Sequence, residues 1–245
     1  MPRKTDSASG QVVRAVLQKL ESLRRAGVTH LPKPLPQDTR PFTPTPPPEM
    51  KEQSPARDPR AAALDQIARR VALCTRCPVL VRNRTQTVFG VGNPYARLVF
   101  LGEAPGADED RQGIPFVGRA GQLLTDMIVK GMKIRREDVY ILNILRCRPP
   151  DNRTPLPEEA ANCREYLDGQ LSIIRPEFIC CLGACAAQNL LGTTRSIGQL
   201  RGRFFDYQGA KVICTYHPAY LLRNPAAKRQ AWEDLQMLMK EMGLR

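Results

Sequence analysis

The stretch RLVFLGEAPGADEDRQGIPFVGRAGQLL, residues 97–124, decides the fold of this 245-residue chain. Its first part, RLVFL, is a short apolar run before a glycine, which is the pattern of a fully buried strand. From Leu123 onward the apolar residues recur with helical spacing. The loop between the two segments is rich in glycine, proline and carboxylates, so we expect it to form the wall of a site at the end of the strand.

Three further apolar runs follow along the chain: DVYILNILR, FICCLGA and KVICTYHP. Each is preceded by a segment with helical spacing; residues 157–174 form the longest, and a final helix carries Trp232 in its apolar stripe. Strands that alternate with helices predict a parallel sheet with helices on both faces. We therefore predict the α/β class, as a three-layer α/β/α domain with a central four-stranded parallel sheet.

Polar residues follow three of the four predicted strands. Glu103 comes after the first strand, Asn143 lies at the end of the second, and His217 comes after the fourth. In parallel sheets, ligands bind beyond the carboxyl ends of the strands. The sequence therefore predicts that these three side chains share one site.

The first 60 residues differ in composition from the rest. Residues 11–25 have one apolar helical stripe, and residues 31–59 contain ten prolines, which predicts a disordered linker. We predict an N-terminal extension over residues 1–60 and a globular domain over residues 61–245. A short helix cannot bury its stripe alone, so we expect it to dock on the domain or to bind a protein partner.

The chain is basic, with 37 Lys and Arg against 24 Asp and Glu and a net charge of +13. Such a balance favours a polyanionic partner, most often a nucleic acid. No apolar run approaches the ~18 residues that a membrane span needs, and no secretory signal opens the sequence. We expect a cytoplasmic, monomeric protein that has no membrane partner.

Four of the eight cysteines lie in polar or turn contexts. Cys74 and Cys77 form a C-x2-C pair, and fifteen residues separate Cys147 from Cys163. Four thiolates hold either a tetrahedral zinc ion or an iron–sulfur cluster, and the lack of a second tight pair favours a cluster. The other four lie in apolar segments and are predicted to be small core residues: Cys180, Cys181, Cys185 and Cys214.

Several separated motifs together resemble one known family. GEAPGADEDRQGIPFVGRAGQLL, ILNILRCRPPDNRTP and HPAYLLRNP, with the four cysteines in their order and spacing, closely resemble the family 4 uracil-DNA glycosylases. The resemblance covers about residues 68–242. It implies a four-stranded parallel sheet, a [4Fe–4S] cluster on these cysteines, and excision of uracil from uracil-containing DNA.

The resemblance also implies roles for three side chains. Cleavage of the bond between uracil and deoxyribose leaves negative charge on the base and positive charge on the sugar, and the base must first leave the stack. His217 is expected to donate a hydrogen bond to uracil O2 as the anion develops. Asn143 is expected to read the base edge through its amide, and Phe116 to stack on the flipped base.

The loop after the first strand supplies further candidates. Glu103 is the best candidate to stabilise the sugar cation or to orient water, because Ala104 stands where more familiar uracil glycosylases have an aspartate. Glu109 is expected near uracil C5, where it excludes the methyl group of thymine. The backbone at Gly102 and Ala104 is expected to border the base, since small residues let a ligand approach closely.

The stretch HPAYLLRNP is expected to face DNA. Leu221 or Leu222 is a candidate wedge for the gap that the flipped base leaves, and Arg223 is a candidate phosphate ligand. The sequence does not distinguish the two leucines.

Three alternatives remain at the level of sequence. A nuclease with two metal ions would use the four acidic residues of the loop: Glu103, Asp108, Glu109 and Asp110. A protein that binds uracil-DNA without turnover, or traps its product, would need the same pocket. A glycosylase for a broader set of deaminated bases is the nearest neighbour, although the glutamate of GEAPG favours uracil.

Overall fold

The computed structural model describes residues 8–25 and 58–244, and the chain divides into two compact units, residues 1–52 and 53–245. In the first unit, helix α1 (Ala8–Arg25) contains the predicted segment 11–25. Its exposed apolar side chains include Val13, Val16, Leu17 and Leu20. Nearly all of the predicted linker, residues 31–57, lies outside the described residues. None of the described helices is both long and apolar enough to cross a membrane.

The second unit is built on one mixed sheet of six strands. The strands are β1 (Val91–Gly92), β2 (Leu98–Gly102), β3 (Tyr140–Asn143), β4 (Phe178–Leu182), β5 (Phe204–Tyr207) and β6 (Ala210–Thr215). Their order is β1-β3-β2-β4-β6-β5. The four central strands are parallel, which confirms the predicted arrangement. The expected strand count was four, and the sheet has six because an antiparallel strand closes each edge.

Helices cover both faces of the sheet. They are α2 (Pro59–Ala72), α3 (Pro78–Asn83), α4 (Ala107–Gln112), α5 (Arg119–Asp126), α6 (Pro157–Ile174), α7 (Ala184–Leu191), α8 (Ile197–Leu200), α9 (Pro218–Arg223) and α10 (Lys228–Glu241). One apolar core contains residues of α2, α6 and α7, and a second contains residues of α5 and α10. The buried central strands lie between these cores, so the three-layer prediction is confirmed.

The register of the sheet brings the predicted site residues to one edge. Gly102 of β2 pairs with Asn143 of β3, so these two strands end at the same level. Past the strand ends, the amide of Ile144 donates to the Gly102 carbonyl at 2.9 Å, and the amide of Leu145 donates to the Glu103 carbonyl at 3.0 Å. This extra pairing fixes the first residues of the loops that enclose the site.

Candidate active site

A cleft of about 510 Å³ opens at the carboxyl edge of the sheet. This volume is within the ~300–1,000 Å³ range of small-molecule sites. Its lining brings together most of the predicted site residues: Glu103, Ala104, Glu109, Phe116, Asn143, His217 and Arg223. Gly102 lies directly behind it, between Asn143 and the ring of Phe116.

Asn143 presents a buried polar atom that has no partner. The residue is 2% exposed at the end of β3, and its side-chain oxygen accepts no hydrogen bond within the described part of the chain. A buried acceptor without a donor costs free energy, on the order of 1–3 kcal/mol. A ligand that offers an N–H to the cleft would remove this cost.

His217 is held as a neutral donor. It precedes helix α9, and its Nδ1 accepts a hydrogen bond from the Ala219 amide at 3.1 Å. Because Nδ1 is the acceptor, the proton of the neutral ring is on Nε2. Burial, with a smaller effect from Arg223, lowers the pKa of His217 from 6.5 to about 4. The imidazole is therefore uncharged at neutral pH and keeps one N–H to donate.

Phe116 reaches the cleft through an unusual backbone conformation. Its φ is +55°, a left-handed conformation that is rare for an aromatic residue. The ring centroid lies 5.6 Å from that of His217, with an angle of 34° between the planes. The side chain is 7% exposed. The ring therefore forms a flat apolar wall beside the histidine.

The acidic residues of the loop each bind a different partner. Glu109 accepts hydrogen bonds from the amides of Val117 at 2.9 Å, Gly118 at 3.0 Å and Gly106 at 3.1 Å, so it joins both ends of the loop. Asp108 forms an ion pair with Arg111 on the surface.

Asp110, the fourth acidic residue of the nuclease alternative, is 3% exposed. Both of its oxygens accept from the Thr85 amide, at 2.9 and 3.0 Å. The loop also contains a helix, α4, which the sequence interpretation missed. Among the described residues, no three His, Cys, Asp or Glu side chains are close enough to hold one metal ion. Because these carboxylates bind different partners, their arrangement argues against the two-metal nuclease.

Glu103 lines the cleft without an ion-pair partner in the described residues. Burial raises the pKa of its carboxyl group. A carboxylate in such surroundings is poorly solvated, so a positive charge that develops beside it would be stabilised more strongly than in water.

Two leucines of α9 have opposite environments. Leu221 is 2% exposed and packs inside the domain, whereas Leu222 is 42% exposed. Leu221 is thus a core residue, which contradicts its candidacy as a wedge.

The cleft also contains residues to which the sequence interpretation gave no role. Asn152, Arg153 and Thr154 form part of its rim, within the loop PPDNRTP that joins β3 to α6. Asn152 has a φ of +54°, and Arg153 makes two hydrogen bonds with the carboxylate of Glu159, at 2.9 and 2.6 Å. The two prolines before Asp151 were the available signal for a structured loop at this position.

The four predicted ligand cysteines are close enough to influence one another's ionisation. Burial raises the pKa of Cys147 to about 11 and also raises the pKa of Cys163 and Cys77. The charges of neighbouring thiols contribute to each shift: Cys74 acts on all three, and Cys163 acts on Cys147. The other four cysteines are buried in the sheet and α7, as predicted.

Hydrogen-bond donors surround these sulfur atoms. Arg84 donates to Cys147 Sγ at 2.9 Å, and Asn162 donates to Cys77 Sγ at 3.5 Å. Donors of this kind stabilise thiolates over thiols.

A buried cation lies beside the same thiols. Arg146 is 1% exposed, donates to the carbonyl of Asn143 and to the side chain of Gln170, and leaves its Nε without a partner in the described residues. Burial lowers the pKa of Arg146, and the thiols of Cys163 and Cys147 are among the groups that oppose this shift. A buried charge needs a counter-charge, and thiolates at these positions would provide it.

Gly102 determines how closely the side chains of Asn143 and Phe116 approach each other. A Cβ atom at this position would lie 2.3 Å from Asn143 Oδ1 and 2.6 Å from Phe116 Cζ. We expect Gly102→Ala to displace both side chains and to lower the single-turnover rate of base excision roughly ten- to a hundredfold, because misplacements near 1 Å have effects of that size. Gly198→Ala is the control, since its nearest neighbour would be 4.0 Å away. Equal rates in the two variants would show that Gly102 does not set this geometry.

Comparison with known proteins places this cleft in a defined class. The profile of the Uracil DNA glycosylase superfamily matches residues 89–236, which include every cleft-lining residue named above. The chain is 48% identical over 181 residues to the type-4 uracil-DNA glycosylase of Thermotoga maritima, with 72% of this chain and 93% of that protein covered.

The corresponding protein of Archaeoglobus fulgidus is 45% identical over 184 residues, with 72% of this chain and 92% of that protein covered. A type-5 uracil-DNA glycosylase of Pyrobaculum aerophilum is more distant, at 30% identity over 192 residues that cover 65% of this chain and 84% of that protein. The chain belongs to the type-4 uracil-DNA glycosylases.

Proposed function

We propose that this protein removes uracil from DNA by hydrolysing its N-glycosidic bond, which leaves an abasic site for base excision repair. The observation that carries the proposal is the partnerless oxygen of Asn143, buried at the end of β3 beside Phe116 and His217. Uracil presents an N3–H donor that this oxygen can accept, next to an O4 acceptor for the amide nitrogen.

The other residues of the cleft match the charges that develop during cleavage. Phe116 stacks on the extruded ring, which is worth ~1–3 kcal/mol. His217 Nε2–H donates to uracil O2 as negative charge grows there, a contribution of ~3 kcal/mol for one such donor. Glu103 faces the sugar, where it stabilises positive charge or orients the attacking water. Glu109 borders the base on the C5 side, where it excludes thymine.

The DNA duplex is proposed to lie across the mouth of the cleft. Leu222 is the wedge, because it is exposed on α9 while Leu221 is buried. Arg223 lines the cleft, and its guanidinium is the proposed phosphate ligand. The net charge of +13 adds a salt-dependent attraction that requires no base recognition. The domain predicted over residues 61–245 carries this activity, and it extends back to helix α2, which begins at Pro59 within the second unit.

The four thiols are proposed to hold a [4Fe–4S] cluster rather than one zinc ion. A zinc site places four sulfurs ~2.3 Å from one centre, usually from two tight cysteine pairs, whereas Cys147 and Cys163 form no second tight pair beside Cys74 and Cys77. Mutual influence among all four thiols, with N–H donors and the buried guanidinium of Arg146 beside them, supports a larger anionic group. When bound, the cluster would link the segment between α2 and α3, which carries Cys74 and Cys77, to Cys147 in the loop after β3 and to Cys163 on α6.

The direct test is incubation with an oligonucleotide that contains one uracil. We expect free uracil in molar excess over enzyme, and a strand that breaks only after alkaline treatment. A strand broken without alkali would instead indicate a nuclease, and one uracil per enzyme would indicate product trapping. Matched oligonucleotides with hypoxanthine or xanthine test the broader glycosylase, which requires excision of these bases at a comparable rate.

Asn143→Asp tests base reading. Cytosine has an N4 amino donor where uracil has its O4 acceptor, and its N3 has no proton, so the native amide faces the wrong pattern. The carboxylate removes the donor to O4 and can accept from N4. We expect uracil excision to fall by at least about tenfold, because a buried polar group loses its partner. Weak cytosine excision should appear and improve at lower pH, where N3 of the base is protonated.

Asn93→Asp is the matched control for this variant. Its side-chain oxygen accepts from the Tyr95 amide at 2.9 Å outside the cleft, an interaction that aspartate retains. Uracil excision by Asn143→Asp at the rate of this control would remove Asn143 from the base-reading role.

A further inference from the structure

The segment between α4 and α5, residues 113–118, carries Phe116 and is called the Phe116 loop here. An arginine outside the cleft, Arg136, binds this loop from the side away from the cleft. Arg136 lies at the start of a short helical turn, Arg136–Asp138, just before β3. Its Nη2 donates to the carbonyl oxygens of Pro115 and Phe116, both at 3.0 Å, and its Nη1 donates to Thr125 Oγ1 at 2.9 Å. One planar group thus links the loop to the helix that follows it.

This guanidinium has no role as an ion-pair partner within the described residues. Burial lowers the pKa of Arg136, and no carboxylate offsets the effect. Its neighbour Arg135 is exposed and pairs with Asp138 and Glu137. Burying part of a cation without a counter-charge is unfavourable, so the three internal acceptors are what hold Arg136 in place.

The bonds of Arg136 act on the strained residue itself. Phe116 has a φ of +55°, and its carbonyl packs against Gly121 so closely that a Cβ there would lie 1.9 Å from the oxygen. On the inner side, Glu109 accepts from the amides of Val117 and Gly118. Both peptide groups that flank Phe116 are therefore fixed, through the Pro115 carbonyl before it and through the Phe116 carbonyl and Val117 amide after it, which keeps an unfavourable backbone conformation populated.

We propose that Arg136 is a positioning residue for uracil binding, which acts from outside the cleft by holding Phe116 in the conformation that stacks on the flipped base. The proposal rests on the uracil-excising function proposed above. A planar fork is required, because two carbonyls and a hydroxyl must be met at once; the single ammonium of lysine does not reproduce this geometry.

The test uses the full-length protein and free uracil as the probe. Inhibition of excision by free uracil reports binding to the base pocket without DNA contacts. We expect Arg136→Met and Arg136→Lys each to raise the inhibition constant for uracil roughly tenfold, part of the stacking contribution. Arg135→Met removes the same charge from the adjacent residue and should leave the constant within about twofold of wild type, as expected for an exposed ion pair.

A double-mutant cycle separates positioning from general stability. If Arg136 acts through Phe116, then adding Arg136→Met to Phe116→Ala causes no further loss of uracil affinity. Additive losses would overturn the proposal, and so would a lower Tm with an unchanged inhibition constant in Arg136→Met. If Arg136→Met does not fold, Arg136→Lys decides the question, and wild-type inhibition in that variant would also overturn it.

Failure of this proposal can be distinguished from failure of the proposed function. Wild-type protein that neither releases nor binds uracil would refute the glycosylase assignment itself. Wild-type protein that does both, with Arg136→Met and Arg135→Met behaving alike, would refute only the role of Arg136.

Discussion

Replacement of His217 by alanine is expected to lower the single-turnover rate of uracil excision by ~100-fold or more, the cost of losing one donor to a developing anion. Affinity for uracil-containing DNA should change little, because the hydrogen bond strengthens only as charge moves onto the base. Phe116→Ala should differ: it removes stacking on the flipped base, so both binding at uracil sites and the excision rate should fall. His30→Ala, at the other histidine of the chain, is the control.

The low pKa of His217 gives this prediction a second readout. The imidazole stays neutral until the pH approaches about 4, whereas in the unfolded chain it protonates near 6.5. The unfolded state therefore binds an additional proton between these values, and the free energy of unfolding should decrease as the pH falls through this window. Urea unfolding at pH 7 and pH 5 should show a smaller decrease in His217→Ala. An equal decrease in both proteins, or equal and mild rate losses in His217→Ala and Phe116→Ala, would contradict the assigned role.

Replacement of Cys147 by alanine is expected to abolish cluster binding. Wild-type protein should contain about four iron and four sulfide per chain, as the cubane formula requires. The variant should lose both, together with the visible absorption, and its Tm should fall because ligation contributes to folding free energy. The variant would also remove one of the groups that offset the burial of Arg146, which is 1% exposed.

Cys180→Ala provides the control for this prediction. This thiol is fully buried in β4, among residues of the second apolar core. Its removal should cost packing energy but leave the iron content unchanged. Zinc without inorganic sulfide in the wild-type protein, or full iron content in Cys147→Ala, would contradict the cluster assignment.

The central part of the fold followed from periodicity, and the parts that did not follow have physical reasons. Strands β2, β3, β4 and β6 are continuous apolar runs, which only a sheet covered on both faces requires. Strand β5 (Phe204–Tyr207) is partly exposed, and β1 has two residues, so neither produces an apolar run. Helix α4 has no apolar residue after Ala107, and Glu109 and Asp110 accept hydrogen bonds from backbone amides outside the helix, which no helical pattern reveals.

The site was predictable where it depended on strand ends. Glu103, Asn143 and His217 meet because parallel strands finish at a common edge. The choice between Leu221 and Leu222 depends on which face of α9 packs on the domain. A helix of six residues is too short for its sequence to show an apolar face. The bonds of Arg136 to the Phe116 loop join residues about 20 positions apart, and only the folded chain brings them together.

The two antiparallel edge strands have a consequence for association of the folded protein. A long, flat, apolar edge would offer unpaired amides and carbonyls to a strand of another molecule. Here β1 ends after two residues, at Gly92, and β5 carries the exposed Asp206. The parallel core is thus flanked by short edge strands, one of which carries an exposed charge, and both features disfavour edge-to-edge pairing between molecules.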